Sequence, residues 1–251
     1  MKRNILAVVI GASLASGAAQ ADTIAGLYVG AQGWDSGVSG GFADTSTTSD
    51  FSFDDKTNSA IYVALEHPVP FVPNVKVNYT TMDTTGDTVL ETNFTFNDQL
   101  FTASSTVNND IELTSTDLIL YYELFDNDLI SFDLGINGKY IDGTLFVEDS
   151  ASATSASADF SGVIPMVYSK VQLGLPFTGL AVYAEGSYLS FDDHEVSDYQ
   201  VAATYSFIES LAIDMTLQLG YRNVTVDIED LDDIYTNLTF DGVFAGLEVH
   251  F

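Results

Sequence analysis

The sequence contains no cysteine and very few basic residues, and both shortages restrict what the protein can be. Without cysteine there is no disulfide framework, so the fold must be stabilised by other means. The 251 residues include 36 acidic and 7 basic side chains, which gives a net charge of −29. Contact with nucleic acid phosphates requires a basic surface, so we exclude nucleic acid as a partner. A hydrophobic content of 46% argues against disorder.

Long apolar runs and helical periodicity are also missing. After residue 21 no stretch of 18 residues is continuously apolar, which excludes a predicted transmembrane helix. No convincing window repeats apolar residues at the i, i+3, i+4, i+7 spacing of an amphipathic helix. Apolar and polar residues alternate with period two instead, which is the pattern of β-strands. The sequence therefore predicts an all-β fold.

The first segment, "MKRNILAVVIGASLASGAAQA", has the form of a secretory signal peptide. Lys2 and Arg3 precede a short apolar run, and the segment closes on the small-residue motif A-Q-A. We predict a signal peptide over 1–21, with a single β-barrel domain over 22–251. Removing two basic residues from a chain of net charge −29 leaves −31.

Ten later segments show the period-two alternation. They predict a transmembrane, antiparallel, up-and-down β-barrel of ten strands, with eight or twelve strands as alternatives. The segments are Ile24–Trp34, Asn58–Glu66, Val75–Asp83, Leu118–Leu124, Ile130–Ile136, Val163–Leu173, Leu180–Tyr188, Tyr199–Phe207, Ile213–Tyr221 and Val243–Phe251.

The connections between these segments alternate in length. Short links such as "HPVPFVPN", "DND", "GLPFTG" and "IES" alternate with long ones over 35–57, 84–110 and 142–162. Bacterial outer-membrane barrels have short periplasmic turns, longer outer loops and an even number of strands. This arrangement favours a barrel in the cell outer membrane over the alternative, a periplasmic β-sandwich.

The few basic residues lie on the polar faces of the predicted strands. A sheet that spans a bilayer must close on itself and turn its apolar face to lipid, so its charged face lines the lumen. Isolated charges there are costly and are expected to pair. We predict a lumen filled by a charge network of Lys76, Lys139, Lys170, Arg222, Glu66, Asp117, Glu123, Asp133, Glu185, Asp214 and Glu248.

Aromatic residues near the strand ends suggest an interfacial girdle, because amphipathic rings favour the membrane–water interface. The candidates are Trp34, Tyr79, Tyr122, Tyr188, Tyr199, Tyr205, Phe207 and Tyr221.

The chain ends in "DGVFAGLEVHF", an alternating strand with a terminal aromatic residue. This ending resembles the signal read by the machinery that inserts outer-membrane barrels, so we expect Phe251 to act as an insertion signal and that machinery to be a partner. The segments "GLYVGAQGWDSGVSGGF", "IYVALEHPVPFVPNVKVNYT" and "FAGLEVHF" resemble a family of Gram-negative outer-membrane β-barrel proteins with no assigned activity. The resemblance implies fold and location, and it transfers no catalytic residue.

One acidic segment, "FDDHEVSD", offers an enzymatic alternative. Asp192 and His194 form a D-x-H motif similar to one half of the omptin protease site. The Asp-x-Asp pair of the other half has no counterpart, since Asp83 is followed by two threonines. We therefore predict no catalytic residue and no cofactor, with an omptin-like surface protease as an alternative.

The predicted outer loops are acidic, notably over 50–56 and 227–233. Carboxylates bind Ca²⁺ and Mg²⁺, but the EF-hand pattern is missing and no tight metal site is predicted. We expect weakly held divalent cations to bridge these loops to lipopolysaccharide and outer-membrane lipid. The predicted function is a monomeric barrel that is structural or weakly permeable. A small cation-favouring channel is the alternative, because an acidic mouth attracts cations, although ten strands enclose little space.

Overall fold

The computed structural model describes residues 25–45, 48–127, 129–191, 194–210, 212–231 and 233–251. The predicted signal peptide lies outside the described residues. None of the described segments is a helix long and apolar enough to cross a bilayer. The described residues form fifteen strands: β1 (Gly26–Ser39), β2 (Gly41–Ala43), β3 (Ser49–Asp50), β4 (Lys56–Glu66), β5 (Asn74–Thr81), β6 (Thr84–Val89), β7 (Phe94–Phe96), β8 (Gln99–Phe101), β9 (Thr106–Asp126), β10 (Ile130–Asp149), β11 (Thr154–Leu175), β12 (Leu180–Phe191), β13 (His194–Glu209), β14 (Asp214–Leu231) and β15 (Ile234–His250).

Ten of these strands form a closed antiparallel barrel, which confirms the predicted fold and strand number. The order is β1-β4-β5-β9-β10-β11-β12-β13-β14-β15, and β15 pairs with β1 to close the sheet. At the seam, the backbone N–H groups of Leu27 and Phe251 donate to each other's carbonyl oxygens at 3.2 and 2.9 Å. β6 extends the line of β5 along β9 and adds no further barrel position.

The four connections that the sequence predicts to be short all lie at one end of the barrel. We call this end, with the described residues 67–73, 127, 129, 176–179, 210 and 212–213, the turn end, and the opposite end the tip end. Two of these turns place a residue at positive φ, Phe71 at 66° and Gly179 at 69°. The chain can therefore reverse direction within a few residues.

The strands are much longer than a membrane requires. A tilted strand crosses the hydrocarbon in about 9–11 residues, whereas β9, β10 and β11 contain 21, 20 and 22 residues. The prediction of a long loop over 142–162 is therefore wrong, because the strands continue to a tight turn at 150–153. The predicted acidic loop at 227–233 likewise begins inside β14, which runs to Leu231.

The polarity of both barrel faces reverses along each long strand. Near the turn end of β14, the outward Leu217 and Leu219 are exposed. Towards the tip end the inward row changes from Gln218 and Arg222 to the buried Val224, Val226 and Ile228. The apolar side is therefore the outside near the turn end and the inside near the tip end.

The tip half consequently has a core like that of a soluble protein. Inward side chains of the long strands pack there with aromatic rings from β2, the β7–β8 hairpin and the segment around Phe51. Phe42 stacks on Phe51 with ring centroids 4.6 Å apart and contacts Phe96 edge-on at 5.2 Å. Burying each such ring contributes about 1.5–3 kcal/mol. This core closes the tip half of the barrel from within.

The predicted aromatic girdle needs one correction. Seven of its eight candidates lie on the outer surface with 42–51% of each residue exposed: Tyr79, Tyr122, Tyr188, Tyr199, Tyr205, Phe207 and Tyr221. Trp34 is only 1% exposed because it occupies an even, inward position of β1. Its ring therefore packs inside the barrel, and its assignment to the girdle is wrong.

Candidate functional site

The centre of the lumen contains an alternating row of charges from four strands. Asp198 accepts hydrogen bonds from Arg222 Nε and Nη2 at 2.9 and 2.8 Å. The same carboxylate accepts from Lys139 Nζ at 3.0 Å, and Lys139 Nζ lies 2.8 Å from Asp117 Oδ1. We call Arg222, Asp198, Lys139 and Asp117 the charge row. Each ion in it has a partner of opposite sign, as buried charges require.

Neutral side chains complete the coordination of the charge row. Asn137 Nδ2 donates to Asp117 at 2.7 Å, and Arg222 Nη2 donates to Thr80 Oγ1 at 3.2 Å. The guanidinium carbon of Arg222 lies 5.2 Å from the centre of the Trp34 ring, within the range of a cation–π contact. Trp34 thus joins the polar lumen to the apolar core of the tip half.

A second ion pair crosses the lumen nearer the turn end. Lys76 Nζ is hydrogen-bonded to Glu185, although these residues lie 109 positions apart in the chain. The same carboxylate accepts from Tyr168 Oη at 3.0 Å and from Gln200 Nε2 at 3.2 Å. Lys76 also lies 4.6 Å from the centre of the Tyr62 ring. This arrangement spans the barrel from β5 to β12 and narrows the lumen.

Tyrosines orient two further carboxylates at the turn end. Tyr121 Oη donates to Glu66 at 2.8 Å, and Tyr62 Oη donates to Glu248 at 2.6 Å. Tyr62 can lie across the lumen because the facing residue is Gly30. A Cβ atom at that position would approach the Tyr62 ring to 2.1 Å.

The structure divides the predicted charge network into two groups. Five members form direct ion pairs inside the barrel: Lys76, Lys139, Arg222, Asp117 and Glu185. The other six lie nearer the turn end. Glu66 and Glu248 bond to tyrosines, and Asp214 Oδ2 lies 3.4 Å from His250 Nδ1. Lys170 Nζ lies over the Tyr183 ring at 5.8 Å, Asp133 is buried, and Glu123 is exposed.

Asp198 is the central residue that sequence reasoning missed. The alternation of side chains predicts that Asp198 faces inward, because its neighbours Tyr199 and Val201 place the odd-numbered positions on the outward face. The eighth predicted strand begins only at Tyr199, since the extension of β13 back to His194 is not visible in an acidic sequence.

Little free space remains at the centre of the lumen. The cavity beside the charge row has a volume of about 30 Å³ and is lined by Asn137 and Gln200, among others. Because one water molecule needs about 10–15 Å³ measured in this way, the cavity has room for about two. Above it lie Trp34, Phe240 and Phe244, all less than 3% exposed. The described lumen is therefore closed by charge at its centre and by apolar side chains towards the tip end.

The structure describes one of the two residues of the D-x-H motif. Asp192 lies outside the described residues, and His194 accepts a hydrogen bond at Nδ1 from the Glu229 backbone N–H at 3.2 Å. Within the described ranges, no three histidine, aspartate or glutamate side chains converge into a cluster suited to a metal ion. Phe251 completes the seam of the barrel through its backbone.

Comparison with known proteins gives similarity of architecture alone. No family model and no curated protein matches the chain. Among solved structures, the transport unit of the autotransporter AIDA-I from Escherichia coli aligns with a TM-score of 0.44 and 7% identity, covering 95% of this chain and 96% of that one. Ail, the attachment invasion locus protein of Yersinia pestis, aligns with a TM-score of 0.37 and 8% identity over 90% and 97%. A FadL homologue of Pseudomonas aeruginosa aligns with a TM-score of 0.34 and 9% identity over 93% and 91%.

Proposed function

We propose that this protein is a closed, monomeric barrel of the bacterial outer membrane that holds a rigid β-structure above the lipid. The observation that supports it best is the filled interior, where the charge row and the aromatic core leave only about 30 Å³ at the centre. A barrel that conducts water or solutes needs a continuous aqueous path, which larger barrels of about 16–18 strands provide. The closed interior therefore favours a structural or surface-binding role over a cation channel.

The outward surface supports the membrane location. Near the turn end it presents exposed aliphatic residues on successive strands, including Ile61, Leu118, Ile136, Val167, Val201 and Leu219. The exposed tyrosines border this band, in the manner of an interfacial girdle. A contiguous apolar surface of this extent is costly in water and marks a lipid or protein contact.

The surface of the tip half supports an extracellular role. Its outward positions are strongly acidic, with Asp110, Glu112, Asp142, Glu148, Asp159, Asp227 and Asp241 on the extended strands. Lys56 lies at the outer end of β4 and pairs with Asp83 at 4.0 Å. Divalent cations held weakly by this surface would bridge it to the anionic lipopolysaccharide. We propose no catalytic activity and no cofactor for this protein.

Conductance tests the closed interior. Purified protein in planar bilayers and in liposome-swelling assays with small sugars should give no stable current and no swelling. A porin reconstituted in parallel is the positive control. A large, ohmic, cation-selective conductance would show that the barrel is a channel and would overturn the proposal.

Cysteine labelling tests the orientation of the barrel in the membrane, because the sequence has no native cysteine that would also react. Ser152→Cys lies in the β10–β11 turn at the tip end, and Thr178→Cys lies in a short turn at the turn end; both positions are exposed. A membrane-impermeant maleimide should label the first variant in intact cells and the second only after the outer membrane is permeabilised. The reverse result would place the tip end in the periplasm.

A further inference from the structure

The lumen widens at the turn end into a second cavity of about 220 Å³. The ion pair of Lys76 and Glu185 together with Tyr168 separates it from the small central cavity. Tyr28, Gln172 and Glu248 line both this cavity and a wider opening at the same end. A solute can therefore enter from the turn end, while the charge row blocks further passage. We call this cavity the turn-end pocket.

The turn-end pocket is strongly negative. Its wall includes five carboxyl groups and two lysines: Glu66, Glu123, Asp126, Asp133, Glu248, Lys76 and Lys170. The carboxyl groups of the wall therefore outnumber its ammonium groups five to two. Lys76 is moreover bonded to Glu185, and Lys170 lies over the Tyr183 ring. Such a field concentrates cations at the opening.

Asp133 supplies an independent indication of a ligand. It is only 4% exposed, and its Oδ1 atom has no hydrogen-bond partner among the described residues. Its two neighbours across the sheet are Glu123 on β9 and Lys170 on β11. A buried carboxylate oxygen without a donor is costly, so such groups normally have a partner. Asp133 lines the turn-end pocket, so a cation bound there would compensate the charge of its carboxylate.

The shape and lining of the pocket favour an organic cation. Tyr28, Tyr62, Tyr121 and Tyr168 contribute aromatic surface, which attracts ammonium groups and packs against methylene groups. The carboxylates lie on separated strands, since two strands stand between Glu66 on β4 and Asp133 on β10. Several spaced positive charges match that distribution better than one compact ion. A volume of 220 Å³ lies below the roughly 300–1,000 Å³ of drug-sized sites, so the ligand is small.

We propose that the turn-end pocket binds a linear aliphatic polyamine, with Asp133 and Glu123 accepting from one ammonium group and Glu66 or Glu248 from another. That the ligand comes from the periplasm rests on the proposed function, because the proposed orientation places the turn end on that side. Binding itself depends only on the pocket.

Isothermal titration calorimetry in a non-ionic maltoside detergent tests this inference, with spermidine and Mg²⁺ as probes at equal ionic strength. We expect saturable one-to-one binding of spermidine. Asp133→Asn should weaken it at least about tenfold, because a lost charge-assisted hydrogen bond corresponds to roughly 10- to 100-fold in affinity. Glu123→Gln should weaken it by a smaller factor. Glu195→Gln, an exposed change on the outward face of β13, is the matched control and should leave the affinity unchanged.

Three results would overturn the inference. They are no saturable heat with spermidine, Mg²⁺ binding as tightly as spermidine, and a loss of affinity in Glu195→Gln equal to that in Asp133→Asn. Folding of each variant is checked by heat-dependent gel migration. If Asp133→Asn does not fold, Glu123→Gln decides, because its exposed side chain lies at the edge of the pocket. Binding in detergent combined with conduction in bilayers would refute the proposed function and leave the polyamine site intact.

Discussion

Asp198 should be the residue whose loss most destabilises the lumen. It accepts three hydrogen bonds, two from Arg222 and one from Lys139. In Asp198→Ala, Lys139 retains Asp117, whereas the hydrogen-bond partner that Arg222 retains among the described residues is the Thr80 hydroxyl. The side chains of Lys139 and Arg222 are 0% and 4% exposed, so bulk water does not hydrate the charge left without its carboxylate.

The expected cost follows from this burial. Removing one partner of a buried ion pair costs about 3–5 kcal/mol, because an uncompensated charge remains in a medium of low polarity. Lys56→Ala breaks a pair whose side chains are 43% and 33% exposed, and an exposed pair contributes about 0–1 kcal/mol. It is therefore the matched control. Asp198→Asn keeps an acceptor oxygen without the charge, so its loss of unfolding free energy should lie between that of Asp198→Ala and that of Lys56→Ala.

Urea unfolding in phospholipid vesicles measures these differences. Trp34 is the only tryptophan and lies beside Arg222, so its fluorescence reports on the charge row directly. A double-mutant cycle with Arg222→Met isolates the pairwise term, and the double variant should cost less than the two single variants added together. If Asp198→Ala costs no more than Lys56→Ala, the account of the lumen as a buried charge network is wrong.

Four further outcomes are expected. Leu219→Arg, on the lipid-facing band of β14, should lower the free energy of unfolding in vesicles by about 2–4 kcal/mol. Asn223→Arg, on the same face of β14 but above the band, should lower it by about 0–1 kcal/mol. Equal losses in the two variants would contradict the position of the membrane. Phe240→Ala should cost about 3–5 kcal/mol in the same unfolding measurement, because its ring is fully buried in the tip-half core. Removing Phe251 should slow assembly by reconstituted insertion machinery more than it slows spontaneous folding in detergent, and an equal effect on both rates would count against the insertion signal. Hydrogen bonds from Ser152 and from backbone N–H groups lower the pKa of the Asp149 carboxyl. The ionised carboxylate therefore stabilises the β10–β11 turn above the ordinary carboxyl pKa, and this stabilisation is lost as the pH falls through the lowered value. In acid, the amide exchange rates of the turn in the wild-type protein should become equal to those in Asp149→Asn.

The comparison between sequence and structure shows what alternation can specify. Because side chains alternate along a regular strand, one aliphatic residue such as Val201 assigns every other position of β13 to a face, as far as the register shift between Ser206 and Ile208. That rule was enough to predict ten strands, the closed barrel and the inward direction of Lys76, Lys139 and Arg222. Applied further along β13, it would also have identified Asp198.

The tertiary structure decided the rest, for two physical reasons. Alternation defines two faces but not which of them meets water, and above the membrane the environment outside the barrel changes from lipid to water. The inward row therefore turns apolar at Val224, and Trp34 belongs to the interior. Pairing across the lumen depends on how the closed sheet brings distant strands together, which joins Lys76 to Glu185 across 109 residues. A local sequence pattern cannot reveal a contact between residues so far apart in the chain. The sequence therefore predicted that the lumen is charged, whereas the closed sheet determined which charged residues pair and where the turn-end pocket lies.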